Sequence, residues 1–143
     1  MPLRVHPAAG FDAALVAQVL DDAISSGARM YGICGLQGSG KSTLAAQVAA
    51  LARSRGLRVA VLSVDDAYRG RRERQRLARR VHPLLATRGP PGTHDVTLAC
   101  QTLDALRTGT PVALPRFDKL ADTRLPPSRW RHVGPVDLAL FVG

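Results

Sequence analysis

The stretch Gly35-Leu36-Gln37-Gly38-Ser39-Gly40-Lys41-Ser42-Thr43 constrains this chain more than any other, because it fits every fixed position of the pattern G-x-x-x-x-G-K-[ST]. Gly35, Gly38 and Gly40 have no Cβ, so the backbone can take left-handed dihedrals and turn successive N–H groups toward one point. Such a nest, feeding a helix N-terminus, suits an anion. The flanks agree, since Arg29–Cys34 reads as a short buried strand and Leu44–Ala52 as the start of a helix. Lys41 is then placed to reach the β- and γ-phosphates of a nucleotide, and the Ser42 hydroxyl to ligate Mg²⁺. A glycine turn that merely caps a helix has no use for a Lys-Ser pair in this register.

A chain of 143 residues suits one domain, 1–143, and its low aromatic content of 4% leaves the core to Val, Leu, Ile and Ala. No apolar run is long enough to span a membrane, and Met1–His6 does not open a signal peptide, so a cytoplasmic protein is expected. Cys34 and Cys100 lack Cys or His neighbours at ligand spacing and read as buried thiols. The net charge of +9 comes mostly from arginines 69, 71, 72, 74, 76, 79 and 80, opposed only by Glu73. No aromatic residue interleaves with them, so a solvated basic helix explains the charge better than a nucleic-acid surface does.

Taken in order, Asp12 caps a first helix with Leu15, Val16, Val19, Leu20, Ala23 and Ile24 on one face, ending at Gly27. Gly56 ends the helix after the glycine loop. Leu57–Val64 is an almost unbroken apolar run, the character of a parallel strand covered on both faces. It leads into Asp65-Asp66, and ligands of open α/β sheets lie outside the carboxyl ends of the strands. An aspartate there can hold Mg²⁺ or take a proton from an attacking hydroxyl; alternatively both only cap the next segment. A helix is predicted over Glu73–Val81 with Leu77 and Val81 inward and the arginines outward, broken by His82-Pro83. Thr93 or Asp95 caps a further helix whose apolar face is Val96, Ala99, Cys100, Leu103 and Leu106. His94 and Asp95 either sit in a bare loop or face a substrate. Pro111–Pro115 reads as a short strand running into the polar cluster Arg116-Phe117-Asp118-Lys119, and Val136–Gly143 as a final buried strand.

These segments resemble the glycerate kinase group of P-loop kinases, the D-glycerate 3-kinase type related to uridine, pantothenate and phosphoribulose kinases. The resemblance rests on Gly35–Thr43, Ser63–Tyr68, His82–Gly89, Pro91–Asp95, Pro115–Lys119 and Val136–Phe141. It implies an α/β P-loop fold with a parallel sheet of order 2-3-1-4, ATP and Mg²⁺ as cofactors, and phosphoryl transfer to a small hydroxy acid, D-glycerate. Gly35, Gly38, Ser39, Gly40, Lys41, Ser42 and Thr43 would hold the nucleotide, and Ser42 and Asp65 the metal. Lys41 and Asp65 would be catalytic, Asp65 as base. Arg116 and Asp118, with His94 and Asp95, would hold the acid, the planar guanidinium fork of Arg116 matching a carboxylate.

There are three departures from the group. Ala67 stands where it has phenylalanine, Val142-Gly143 where it has an acidic residue and glycine, and the group continues with a further strand, helices and parts that close over ATP. The chain therefore reads as the N-terminal portion of a longer fold. Its last strand, apolar on both faces, is expected to be an uncovered edge that pairs with another chain, lowering solubility and activity. Competing readings are a nucleotide-binding module without catalysis, favoured by Val142, and a basic nucleic-acid partner.

Overall fold

A computed structural model describes residues 10–143. The reading of Met1–His6 lies outside the described residues. The first helix, α1 (Ala13–Ser25), begins where the Asp12 carboxylate accepts from the Ala14 N–H at 3.1 Å, and the chain leaves it through Gly27 at φ 70°. Val16, Leu20 and Ala23 are buried, whereas Leu15 and Ile24, expected on the same face, are 42% and 47% exposed. The inward stripe is thus narrower than its apolar count suggested.

Strand β1 (Met30–Ile33), helix α2 (Lys41–Ser54) and strand β2 (Val59–Ser63) follow in the predicted order, and Gly56 at φ 80° turns the chain between the last two. After a 3-10 turn at Val64–Ala67 come α3 (Arg71–Arg80), a second 3-10 turn at Pro83–Ala86 and α4 (Val96–Thr108). The remainder is short strands: β3 (Val112–Leu114), β4 (Phe117–Asp118), β5 (Thr123–Arg124), β6 (Arg131–Val133) and β7 (Leu138–Val142).

Three strands form a parallel sheet in the order β1-β7-β2, with Met30 opposite Ala139 and Ser63 opposite Val142. Numbered along the chain these run 2-3-1, and among the described residues no fourth strand lies beside β1. The predicted strand at 111–115 does form, but β3 pairs antiparallel with β6, while β4 and β5 make a separate two-stranded ladder.

The position of β7 corrects the expectation of an exposed final edge. It is the central strand, hydrogen-bonded along both sides, and its side chains alternate as period-two geometry requires. Leu138, Leu140 and Val142 join Val16, Leu20, Val48 and Ala49 on the face covered by α1 and α2, and Ala139 joins Ala60, Leu106 and Leu114 on the face covered by α4. With neither an open edge nor an open face at β7, the argument for self-association through it falls.

Three further expectations change. Cys34 and Cys100 are both exposed. In α4 the buried positions are Thr102 and Leu106, while Val96 is 64% exposed. Just past the end of α3, Val81 is 70% exposed, and within the helix the residue wholly buried is Arg74. Its guanidinium donates to the carbonyls of Ala86, Arg69 and Asp122 and ion-pairs with the Asp122 carboxylate at 2.7 Å. These partners neutralise the charge, which is what allows an arginine into the interior.

Asp137 clamps the entry to the sheet, accepting from the Arg58 backbone N–H at 2.7 Å and from its guanidinium at 2.9 and 3.2 Å. The Arg58 guanidinium, and next its N–H, hold this carboxyl down at about 2, against an ordinary 3.8. A depressed carboxyl stabilises the fold above its unfolded pKa, and that stabilisation is lost as pH falls through the folded value. Asp137→Asn is therefore expected to flatten the fall in stability between about pH 4 and 2. Urea unfolding midpoints at pH 7, 4 and 2.5 check this; parallel curves for variant and parent would remove Asp137 as a contributor.

Candidate active site

Gly38 and Gly40 take φ of 75° and 91°, the left-handed conformations that the loop requires of glycine. A Cβ on Gly40 would also come within 3.1 Å of the Phe11 ring, which packs beneath the loop, while one on Gly35 would meet Ser39 Oγ at 3.0 Å. Helix α2 starts directly after Gly40, with no side-chain cap, and its first intrahelical bond runs from Leu44 N–H to Gly40 O. The N–H groups of 41–43 thus lack intrahelical acceptors and are available to an anion. Lys41 Nζ folds back onto the loop, donating to the carbonyls of Gly35 at 2.8 Å and Leu36 at 3.1 Å.

A cleft of about 600 Å³ opens over the loop at the carboxyl ends of β1, β2 and β7. Gly35, Gly38, Gly40, Lys41, Ser42 and Thr43 line it on one side, and Ser63, Asp65, Tyr68, Lys119 and Val142 on the other. A second cleft of about 650 Å³ adjoins it, sharing Gln37, Asp65, Tyr68 and Lys119 and adding Thr87, Arg88, Gly89 and Asp122. Asp65 and Lys119 stand on the shared wall and ion-pair at 3.1 Å.

The two aspartates part company. Asp66 accepts from the N–H groups of Ser63 at 3.2 Å and Phe117 at 3.4 Å, closing a capping box with Ser63. Burial pushes its carboxyl above the usual range, against the pull of those two N–H groups. The capping reading holds for Asp66, while the side chain of Asp65 faces both clefts. Ala67 is buried at 1% exposure, so the interior is closed around the smaller side chain.

Other sequence candidates are brought near the clefts but not to their walls. Asp95 caps α4 through the Leu98 N–H at 3.0 Å and pairs with Arg124 at 3.1 Å. Burial raises its pKa, but the Leu98 N–H and Arg124 outweigh this and leave the carboxyl below the ordinary range. His94 stacks on Tyr68 with ring centroids 4.0 Å apart, and its buried Nε2 has no hydrogen-bond partner among the described residues. Asp118 accepts from the N–H groups of Leu120 and Ala121, holding the turn after β4. Arg116 is exposed and lines neither cleft.

Gln37, Tyr68, Arg88 and Lys119 are wall residues that sequence reasoning did not single out. All four lie inside the motifs carrying the resemblance, which was the available signal. Ser42 and Asp65 supply hard oxygen atoms on one cleft, and Mg²⁺ commonly takes one or two carboxylates and completes its shell with phosphates and water, so the residues fit that ion.

Comparison with solved structures decides the architecture. A D-glycerate 3-kinase from Cryptococcus neoformans superposes with a TM-score of 0.75 at 29% identity, covering 92% of this chain and 53% of that one. This is the fold of a P-loop kinase. Among curated sequences, an uncharacterised kinase of Schizosaccharomyces pombe is 37% identical over 114 residues, 74% of this chain and 41% of that protein. The chloroplastic D-glycerate 3-kinase of Arabidopsis thaliana is 36% identical over 126 residues, 80% of this chain and 27% of that protein. The chain thus spans less than half the length of these two relatives. The family of methylmalonyl Co-A mutase-associated GTPase MeaB matches residues 4–71, the part that contains the loop.

Proposed function

We propose that this chain is a kinase portion that transfers a phosphoryl group from ATP, with Mg²⁺, to the hydroxyl of a small organic acid, D-glycerate being the acceptor its relatives favour. The observation that carries this reading is the shared wall: the Asp65 carboxylate faces both the glycine-loop cleft and the cleft beside it. A base between donor and acceptor sites is what transfer to a hydroxyl requires.

The backbone N–H groups of Gly38–Thr43 and the Lys41 ammonium hold the phosphates. Lys41 exchanges its two carbonyl partners for phosphate oxygens, a charge-assisted contact. Ser42, with Asp65, would hold the Mg²⁺, which would screen phosphate charge. Asp65 Oδ accepts the acceptor's hydroxyl proton, and Lys119, 3.1 Å away, puts a positive charge on the wall that the two clefts share.

Lys41→Ala tests this reading. Losing a charge-assisted phosphate contact costs about 1.5–3 kcal/mol, so affinity for ATP should fall roughly ten- to a hundredfold. Because Lys41 also staples the loop through Gly35 and Leu36 carbonyls, the titration is paired with a melting curve. Equal affinity in folded variant and parent, by calorimetry at matched Mg²⁺, would remove the loop as the nucleotide site.

Val142 favours a second reading, a nucleotide-binding module without turnover. It lines the loop cleft yet is only 4% exposed and apolar, where the kinase resemblance puts an acidic residue. ATP consumption that does not rise with D-glycerate, beside intact ATP binding, would select this alternative.

A further inference from the structure

We infer that Arg88, rather than Arg116, grips the carboxylate of the acceptor, an inference that rests on the proposed acid-phosphorylating function of the same clefts. Arg88 lines the cleft beside Asp65, whereas Arg116 lines neither cleft.

The guanidinium of Arg88 is fixed from three sides. Its Nε lies 3.0 Å from Asp122 Oδ1 in an ion pair, and its Cζ lies over Phe117, 5.1 Å from the ring centroid, and over Tyr68 at 5.9 Å. Asp122 is itself held, because its other oxygen takes the buried Arg74 guanidinium at 2.7 Å and its backbone sits at a φ of 52°. A non-glycine residue is left-handed at a cost, which the bonds from two arginines offset.

Among the described residues the terminal nitrogens of Arg88 make no hydrogen bond, and the side chain is 31% exposed. The result is a pre-oriented planar fork with two donors free, on the wall of a cleft that also presents Asp65. A carboxylate accepts such a fork through two parallel bonds. Seated there, an acid would have its hydroxyl end toward the wall that Asp65 and Lys119 share with the phosphate cleft. Asp122 acts through Arg88 as a positioning residue.

The test is calorimetric titration of D-glycerate, and of glycerol as its uncharged counterpart, into the 143-residue chain with and without Mg²⁺ and a non-hydrolysable ATP analogue. The parent should prefer D-glycerate over glycerol. Arg88→Gln should weaken D-glycerate at least tenfold and leave glycerol and the analogue unchanged, and Arg88→Lys should fall between. Arg116→Gln should change none of these. Equal D-glycerate affinity in parent and Arg88→Gln would overturn the inference, as would a loss confined to Arg116→Gln, or a parent that takes D-glycerate under neither condition. A parent that binds D-glycerate through Arg88 but no nucleotide would keep the inference and sink the kinase reading.

Discussion

Asp65→Asn is expected to slow phosphoryl transfer to D-glycerate by about 10²–10⁴-fold while preserving nucleotide binding better than it preserves transfer. The amide keeps the size and shape of the carboxylate but takes up no proton at neutral pH and gives little to a metal ion. Nucleotide affinity depends mainly on the amides of Gly38–Thr43 and on Lys41, none of which bonds to Asp65 in this structure. Single-turnover transfer from ATP, followed as phosphorylated acid by ³¹P NMR, separates the two quantities. Transfer by the variant at the parent rate would reduce Asp65 to a partner of Lys119.

The second large effect concerns Arg74, whose removal should destabilise the fold by about 3 kcal/mol, the low end for breaking a buried ion pair because Asp122 is 40% exposed. Arg74→Ala abandons three backbone carbonyls as well as the Asp122 carboxylate and leaves a cavity beneath α3. For a domain of this size the melting temperature should fall by roughly 10 °C. Arg74→Lys restores the charge without the fork that reaches several acceptors at once, so it should recover only part of the loss. A melting temperature within a degree or two of the parent for Arg74→Ala would show that the buried network contributes nothing net.

What was legible in the sequence was what short range decides. The glycine loop, the helix after it and the apolar run of β2 are written in neighbouring residues, and the alternation along β7 sorts its side chains correctly between two layers. The place of β7 in the sheet was not legible, because strand order follows from how distant segments pack, and a final strand looks like an edge when read linearly. Arg74 was hidden for a similar reason. Within an arginine-rich helix it looks solvated, and the groups that accept it at Ala86 and Asp122 come from 12 and 48 residues along the chain. The phase errors at Leu15, Ile24, Val96 and Cys100 share one cause: each lies at the margin of an apolar stripe, where the covering layer ends and periodicity alone does not say so.

At the site the division is the same. The loop residues announced themselves by pattern, and Asp65 by its place at a strand end. Its separation from Asp66 needed the fold, since only the approach of the Phe117 and Ser63 N–H groups commits Asp66 to structure. Arg88 becomes a wall residue only once Asp122 and Phe117, distant in sequence, close around it.

Hydrogen exchange read by mass spectrometry, on the 143-residue chain with and without ATP and Mg²⁺, tests most directly whether the glycine-loop cleft is the nucleotide site. Slowed exchange is expected in peptides covering Gly35–Thr43 and Ser63–Tyr68, with none across the arginines of Arg71–Arg80. Unchanged exchange in the loop, or protection confined to the arginine helix, would contradict that assignment.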